Sequence, residues 1–200
     1  GFIVMERIIR ERGLKLGAEL GVFQGYHTLH LLQSNPGLRL YCVDAYRQLK
    51  SGIGYDDVSD AQFEELYQTV LGRLSVTGRA QLLRATTAEA AASIPGLLDF
   101  VYIDAEHTYE GVINDFITWY PLVRIGGIIA GHDYDHPEWP GVKRAIAELM
   151  PLFGLDIVTD RGYVWWAEKT EASLVRFIGH VDQLPPEVAL KLLLGILDHD

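Results

Sequence analysis

A short apolar segment, followed by two glycines and a helical pattern, is the feature that most constrains the fold of this chain. The apolar segment covers residues 14–20, Gly21 and Gly25 form the turn, and residues 26–34 have a helical composition. Glycine is needed where a chain turns tightly and where a ligand approaches the backbone. The order strand, glycine turn, helix directs backbone N–H groups toward a ligand, although a turn that serves only packing is the alternative. Glu19 is exceptional here, because a carboxylate in a buried strand is costly unless it has a cationic or hydrogen-bonding partner.

The succession of strand and helix recurs along the chain. Strands are predicted at six further places: 38–43, 80–84, 97–103, 128–130, 155–159 and 163–167. The last two read as a hairpin, and helices are predicted between the others, two of them opened by capping boxes that begin at Ser59 and Thr86. This alternation predicts an α/β fold that is Rossmann-like and doubly wound. Its mainly parallel seven-stranded sheet is expected to end in a C-terminal antiparallel hairpin.

The chain divides into one large domain and a tail. Residues 1–169 are assigned to the domain, and residues 170–200 to a C-terminal helical extension. In the extension, Pro185-Pro186 open a leucine-rich helix that is apolar on more than one side. That helix either docks on its own domain or pairs with another subunit, so a homo-oligomer is one expectation. Residues 45–58 are irregular, and both a binding lid and an unstructured loop are open interpretations.

Composition limits the partners and the compartment. Lys and Arg number 17 against 27 Asp and Glu, a formal net charge of −10 without a basic cluster, so nucleic acid is not an expected partner. No apolar run reaches the length of a membrane span, so no membrane association is expected. Cys42 is the single cysteine, which fits a reducing compartment and predicts a cytoplasmic location. The first residues are too few and lack the flanks of a signal peptide, and a start other than Met suggests that the natural protein has been trimmed or processed.

Polar residues follow the predicted strands, at the end of a parallel sheet where ligands bind. Glu19 closes the first strand, Asp44 the second, Asp104 the fourth and His132-Asp133 the fifth. Because the carboxyl ends of parallel strands meet at one edge, we expect these side chains to converge. Asp44 follows the glycine turn by roughly 20 residues, which is the spacing of the acid that binds ribose hydroxyls in nucleotide-binding βαβ units. The alternative is that Asp44 only caps a turn.

Three blocks carry a likeness to a known family. They are Glu19-Leu-Gly21-Val-Phe-Gln-Gly25, Asp99-Phe-Val-Tyr-Ile-Asp104-Ala-Glu-His107-Thr-Tyr-Glu-Gly111 and Gly126-Gly-Ile-Ile-Ala-Gly131-His132-Asp133-Tyr134. Together they resemble class I S-adenosylmethionine (SAM) dependent methyltransferases, in particular the bacterial subfamily of macrocin and related sugar O-methyltransferases. The resemblance covers most of residues 14–168 and is looser in residues 45–80 and after residue 170.

The resemblance implies a SAM site and assigns residues to it. From the methionine end to the adenine end, these are Glu19, Gly21, Gly25, Asp104, Asp44, Thr86, Thr87 and Ala88. The first three would hold the methionine part, Asp104 would lie near the sulfonium, Asp44 would bind the ribose, and the last three would lie against the adenine. Because the sulfonium is a permanent cation, acidic strand ends suit it electrostatically.

His107 is the predicted general base, and Asp104 is the second predicted catalytic residue. An alcohol acceptor gains from a base, and imidazole titrates near neutral pH. His107 follows Asp104 by three residues at the expected mouth of the sheet. In related sugar O-methyltransferases a histidine at this offset is thought to be the base. A helix cap or a surface histidine is the alternative.

The acids also permit a metal site. Asp104 and Asp133 end adjacent predicted strands, so they can share a divalent cation, Mg²⁺ or Mn²⁺, with His132 as a further ligand. Metal-dependent members of the resembled family tend to carry two neighbouring acids where this chain has His132-Asp133, and a histidine shifts the preference toward a transition metal. Alternatively, the two acids bind the SAM amino group and the acceptor directly.

The predicted function is SAM-dependent O-methylation of a hydroxyl on a small metabolite, such as a sugar or a glycosylated natural product. Two alternatives stay open. An NAD-linked oxidoreductase is disfavoured because the G-x-G-x-x-G pattern is absent. A SAM-binding subunit without catalysis, serving assembly or regulation, is the other.

Overall fold

Seven strands form one sheet in the computed structural model, which describes residues 2–48, 58–160 and 163–180. The strands are β1 Leu16–Leu20, β2 Arg39–Asp44, β3 Ala80–Arg84, β4 Leu98–Ile103, β5 Val123–Gly131, β6 Val158–Asp160 and β7 Val164–Glu168. Their order across the sheet is β3-β2-β1-β4-β5-β7-β6. The first five strands pair in parallel, whereas β7 is antiparallel to both β5 and β6. The predicted doubly wound α/β fold with a terminal antiparallel hairpin is confirmed.

The helices alternate with the strands along the chain. They are α1 Phe2–Arg12, α2 Tyr26–Ser34, α3 Asp60–Ser75, α4 Thr87–Ala91, α5 Tyr109–Trp119, α6 Pro140–Phe153 and α7 Glu171–Ile178, with a 3₁₀ turn at Tyr120–Leu122. Both predicted capping boxes are present, at Ser59 with Gln62 and at Thr86 with Glu89. Among the described residues, none of the helices combines the length and the apolar character that a membrane crossing requires.

Alternate residues of the central strands feed two separate cores, one on each face of the sheet. In β4, Val101 and Ile103 join the core beneath α5 and α6, whereas Phe100 and Tyr102 join the core on the side of α1, α2 and α3. All four side chains are almost fully buried. A strand buried on both faces reads as a continuous apolar run, which is why residues 97–103 were recognisable from sequence.

The described part of the tail packs on the main domain. Phe177 of α7 is fully buried and lies against Tyr120 and Phe153, with ring centroids 4.8 and 5.0 Å away. Tyr120 also shares a hydrogen bond of 2.6 Å with Ser173. The helix predicted after Pro185, the proposed oligomer contact and most of the predicted loop at 45–58 lie outside the described residues. The boundary between residues 169 and 170 remains a prediction.

The register of the parallel strands brings their carboxyl ends to one edge. Leu20 is paired with Val43 on one side and with Ile103 on the other, and Ile103 is paired with Gly131. The residue that follows each of these strand positions therefore lies on the same rim. Those residues are Gly21, Asp44, Asp104 and His132, as the sequence predicts.

Candidate active site

A cavity of about 700 Å³ opens at this rim, between the ends of β1, β2, β3 and β4. A volume of this size is typical of cofactor and small-molecule sites. The predicted site residues that line it are Glu19, Gly21, Asp44, Thr86, Thr87, Ala88, Asp104 and His107. Gly25, His132 and Asp133 lie outside this lining, and the last two adjoin it through His107, as described below.

Gly21 allows two strand ends to approach each other closely. Its φ is +86°, and a Cβ built on it would lie 2.0 Å from the carbonyl oxygen of Asp104. Any side chain would therefore both strain the backbone and collide with the neighbouring strand end. Gly25 also has a positive φ, of +76°, at the N-cap of α2. Gly25 thus shapes the turn from behind instead of touching the cavity.

Asp44 fastens the glycine turn to the end of β2. Its Oδ2 accepts hydrogen bonds from the backbone N–H groups of Val22 and Phe23, at 3.1 and 2.8 Å, and its Oδ1 accepts one from Tyr46 at 2.9 Å. Burial raises the pKa of Asp44, although these three donors oppose that shift. The turn-capping role foreseen for Asp44 is therefore present. Because Asp44 also lines the cavity, the ribose role remains a prediction for a residue that already orders the loop.

Glu19 finds its partners in the next helix. It is 1% exposed, its Oε1 lies 2.9 Å from Nδ1 of His27, and its Oε2 accepts a hydrogen bond from the hydroxyl of Thr28. The partner that this buried carboxylate needs is thus supplied by α2. The place of His27 in the sequence, close to the glycine turn, permits a cofactor contact, but the pairing of Glu19 with His27 and Thr28 was not predicted. Glu19 still lines the cavity, and its contact with SAM remains a prediction.

His107 lies between two carboxylates. Its Nε2 is 2.7 Å from Oδ2 of Asp133 and 3.4 Å from Oδ1 of Asp104, and its ring stacks on Trp139 with centroids 5.0 Å apart. The other oxygen of Asp133 lies 3.0 Å from Nδ1 of His132. Asp133 has a φ of +59°, which is uncommon for a residue with a side chain but which Asp adopts more readily than most. The predicted convergence of these four residues is therefore present.

These contacts set the protonation of the cluster. Burial lowers the pKa of His107, but the hydrogen bonds and charges of Asp104 and Asp133 more than offset this and raise it to about 9. Burial raises the pKa of Asp133, but its hydrogen bonds to His107 and His132 hold that pKa well below its usual range. Burial also raises the pKa of Asp104. At neutral pH His107 is thus an imidazolium and Asp133 a carboxylate. His107 can accept a proton only after it has released the one that it holds.

The same cluster is a candidate metal site. Among the described residues, one ligand atom each from Asp104, His107 and Asp133 lies within 4.8 Å of the other two. The prediction named His132 beside the two acids, whereas the structure places His107 there and His132 on the far oxygen of Asp133. Two carboxylates and one imidazole suit Mn²⁺ or another transition metal better than Mg²⁺, which prefers a site made only of oxygen ligands.

Asp115 also lines the cavity, and sequence reasoning missed it. It lies on α5, is 4% exposed, and accepts a hydrogen bond from the hydroxyl of Thr87. Its signal in the sequence is an acid on the apolar face of a helix, between Val112 and Phe116. Thr86 itself is the N-cap of α4, so its hydroxyl is engaged with Glu89.

Sequence comparison identifies the family. A profile described as a methyltransferase domain matches residues 18–134, which include the glycine turn and all the acids of the rim. The chain belongs to this family. The resemblance to class I SAM-dependent methyltransferases is thereby confirmed, and the oxidoreductase alternative loses its basis.

Curated relatives and solved structures agree with this assignment. The chain is 28% identical over 167 residues to the O-methyltransferase hkm8 of Aspergillus hancockii. The aligned residues make up 83% of this chain. It spans about three-fifths of the length of the curated relatives that it matches, 59% and 60%.

Among solved structures, the fold is similar to the TDP-rhamnose 3′-O-methyltransferase CalS11 of calicheamicin biosynthesis, with 19% identity and a TM-score of 0.61 over 83% of this chain and 78% of that one. It is also similar to the MycE methyltransferase of the mycinamycin pathway, in complex with Mg and SAH, the demethylated product of SAM. For MycE the identity is 18% and the TM-score 0.57, over 85% and 49% of the two chains. At these identities the likeness supports the methyltransferase fold alone.

Proposed function

We propose that this methyltransferase-family chain transfers the methyl group of SAM to a hydroxyl of a small metabolite, such as a sugar or a glycosylated natural product. The observation that carries the proposal is the position of His107. It lines the same cavity as the glycine turn and Asp44, and it is held there by Asp133 and Asp104. A base between two acids, beside a nucleoside-sized cavity, suits transfer from a cationic donor to an alcohol.

The residues present fit SAM. The cavity of about 700 Å³ is large enough for a nucleoside with an amino-acid side arm, and Gly21, which lines it, lets the end of β1 lie against the carbonyl oxygen of Asp104. The turn would hold the methionine part, Asp44 the ribose, and Thr86 to Ala88 the adenine. Asp104 would face the sulfonium, whose charge it complements. When bound, SAM supplies an electrophilic methyl group that leaves its sulfur as a bond to the acceptor oxygen forms.

In its neutral form, which becomes more populated as the pH rises toward its pKa of about 9, His107 would take the proton of the acceptor hydroxyl. Asp133 and Trp139 hold its ring on two sides, and fixed geometry is what makes a positioned base effective. The helix-capping alternative for His107 has lost support, because Thr108 is the N-cap of α5 and accepts a hydrogen bond of 2.9 Å from the N–H of Gly111. Asp133 would stabilise the imidazolium that proton transfer leaves behind.

A divalent cation is the second part of this proposal. Asp104 and Asp133 would hold it with one imidazole, and the cation would lower the pKa of the acceptor hydroxyl. Nε2 of His107 is the nitrogen that faces both acids, so the base role and a ligand role compete for the same atom. His132, on the far oxygen of Asp133, would be the nitrogen ligand if His107 is the base. The base role and the metal requirement therefore need separate tests.

The test is a binding measurement followed by an acceptor screen. Calorimetry with SAH should give saturable binding to one site. Methyl-labelled SAM is then incubated with free sugars, nucleotide sugars, glycosylated natural products and phenols, and label should appear in one of the hydroxylated classes. Absence of SAH binding would refute the proposal. Binding without transfer to any class would favour the SAM-binding regulatory or assembly subunit.

A further inference from the structure

One buried carboxylate in the cavity has no role in the chemistry proposed above. Asp115 is 4% exposed, and its Oδ2 has no hydrogen-bond partner among the residues that the structure describes. An unsatisfied buried acceptor is costly, and the great majority of buried polar atoms in proteins are paired. Its location in the cavity lining makes a bound ligand a natural source for the missing donor.

The remainder of the carboxylate is held in place. The hydroxyl of Thr87 donates to Oδ1 of Asp115, and the carbonyl of Thr87 in turn accepts from Nε1 of Trp119 at 3.1 Å. This chain of bonds ties α5 to the start of α4 and leaves Oδ2 as the atom available to a ligand. Burial, opposed by the bond from Thr87 and aided by the charge of Glu106, raises the pKa of Asp115 to about 7.

Asp115 is bonded to Thr87, which lines the cavity just after β3. Thr87 follows β3, whereas His107 follows β4 and Asp133 follows β5. In the sheet order, β2 and β1 lie between β3 and β4. The side chain bonded to Thr87 is therefore separated by two strands from the cluster that would face the sulfonium. If the sulfonium of SAM lies at His107, the purine base must extend toward β3.

The wall around Asp115 suits a flat ring. Gly111, one helical turn before Asp115, and Ala85 and Ala88, on either side of Thr86 and Thr87, line the cavity and contribute little bulk. A purine ring can lie against these small residues with its edge toward the polar side chains of Thr87 and Asp115. The 6-amino group of adenine donates hydrogen bonds and the adjacent N1 accepts one. A carboxylate accepts from the amino group, and a protonated carboxyl can also donate to N1.

We infer that Asp115 is the residue that selects adenine, by accepting a hydrogen bond from the 6-amino group on its free Oδ2. The inference rests on the proposed function, because it requires SAM in this cavity. It assigns base recognition to a side chain of α5 in addition to the predicted contacts of residues 86–88.

The experiment compares SAH with its 6-deamino analogue, in which purine replaces adenine. The analogue lacks the donor and introduces no new polar group. Calorimetry on the wild-type protein should show that the analogue binds about 10- to 100-fold more weakly than SAH, the range for one hydrogen bond to a charged group. Equal affinity for the two ligands would overturn the inference.

Variants assign the effect to Asp115. Asp115→Asn retains the acceptor for Thr87 and places an amide N–H₂ against the amino group. SAH affinity should therefore fall to that of the analogue, while affinity for the analogue is retained. Asp115→Ala should abolish the discrimination in the same way, and it provides a second variant if the first does not fold. Glu110→Gln is the matched control, because Glu110 is an exposed acid of the same helix outside the cavity lining.

The outcomes separate the role of Asp115 from the binding of SAM itself. Discrimination that is present in wild type and Glu110→Gln but lost in both Asp115 variants supports the inference. Discrimination that persists in a folded Asp115 variant overturns it, while SAH binding still supports the proposed function. If wild-type protein binds neither ligand, the proposed function fails and the inference with it.

Discussion

Lys169 provides a quantitative test of the structure, because it is a buried cation without an acidic partner in the described ion pairs. It is 3% exposed, and its Nζ donates to the carbonyl oxygens of Tyr120, Pro121 and Val123 at 3.0, 3.5 and 2.6 Å. Nζ also lies 4.7 Å from the centroid of the Tyr120 ring. These carbonyls follow the C-terminus of α5, where a cation is favourable. Burial nevertheless lowers the pKa of Lys169 from 10.5 to about 8.

The lowered pKa predicts a pH dependence of known sign. Below pH 8 the ammonium is charged in both the folded and the unfolded state, so the full penalty of burying it applies. Between pH 8 and 10.5 the folded protein loses this proton before the unfolded chain does, and the free energy of unfolding therefore rises with pH. At about 1.4 kcal/mol per pKa unit the full penalty is about 3 kcal/mol, most of which should be recovered between pH 7 and 10.

Urea unfolding of wild type and Lys169→Met, measured from pH 7 to 10, isolates this contribution. The free energy of unfolding of wild type should gain about 2–3 kcal/mol relative to the variant across this range. Lys143→Met is the control, because Lys143 is exposed and paired with Asp135, so its curve should run parallel to that of wild type. Parallel curves for wild type and Lys169→Met would show that Lys169 is not a strained buried cation, and would refute the reasoning.

Three further predictions concern the site. Gly21→Ala should destabilise the protein by at least about 1–3 kcal/mol through its positive φ alone and should abolish SAH binding in calorimetry; near-wild-type binding would contradict the close approach to Asp104. His107→Ala should lower turnover about 10²- to 10⁴-fold while leaving SAH affinity near that of wild type, and full activity would exclude the base role. Chelation should abolish methyl transfer and added Mn²⁺ or Mg²⁺ should restore it, whereas an unchanged rate would remove the metal from the proposal.

The rim of the sheet was predictable because it depends on periodicity and order along the chain. Apolar runs mark buried strands, and the residue after each run lies at the carboxyl edge whatever the details of packing. Asp44, Asp104, His132 and Asp133 were placed correctly for that reason. The capping boxes at Ser59 and Thr86 were equally local, since each needs only a spacing of three residues.

Features that depend on contacts between elements were not predictable. The helical spacing of Val112, Phe116, Trp119 and Val123 predicts a helix that extends to residue 123, although Pro121 indicates an earlier end. It ends at Trp119, and Val123 is instead the first residue of β5. Its side chain is buried in either case, so hydrophobic pattern alone could not distinguish the two. The pairing of Glu19 with His27 likewise requires knowing which face α2 turns toward β1.

The partner of His107 shows the same limit. Its spacing from Asp104 was visible in the sequence, but the shorter contact is with Asp133, which the chain brings in from the next strand. Because of that contact, the histidine that lies beside Asp104 and Asp133 is His107 and not His132, which was the predicted metal ligand.

A crystal structure of the protein with SAH would show whether the rim acids surround the methyl donor. We expect the sulfur beside Asp104 and His107, the ribose at Asp44, and the adenine between Thr87 and Asp115. SAH bound outside this cavity, or bound in it with the base at His107 and the sulfur toward β3, would show that the rim acids do not hold the donor as proposed.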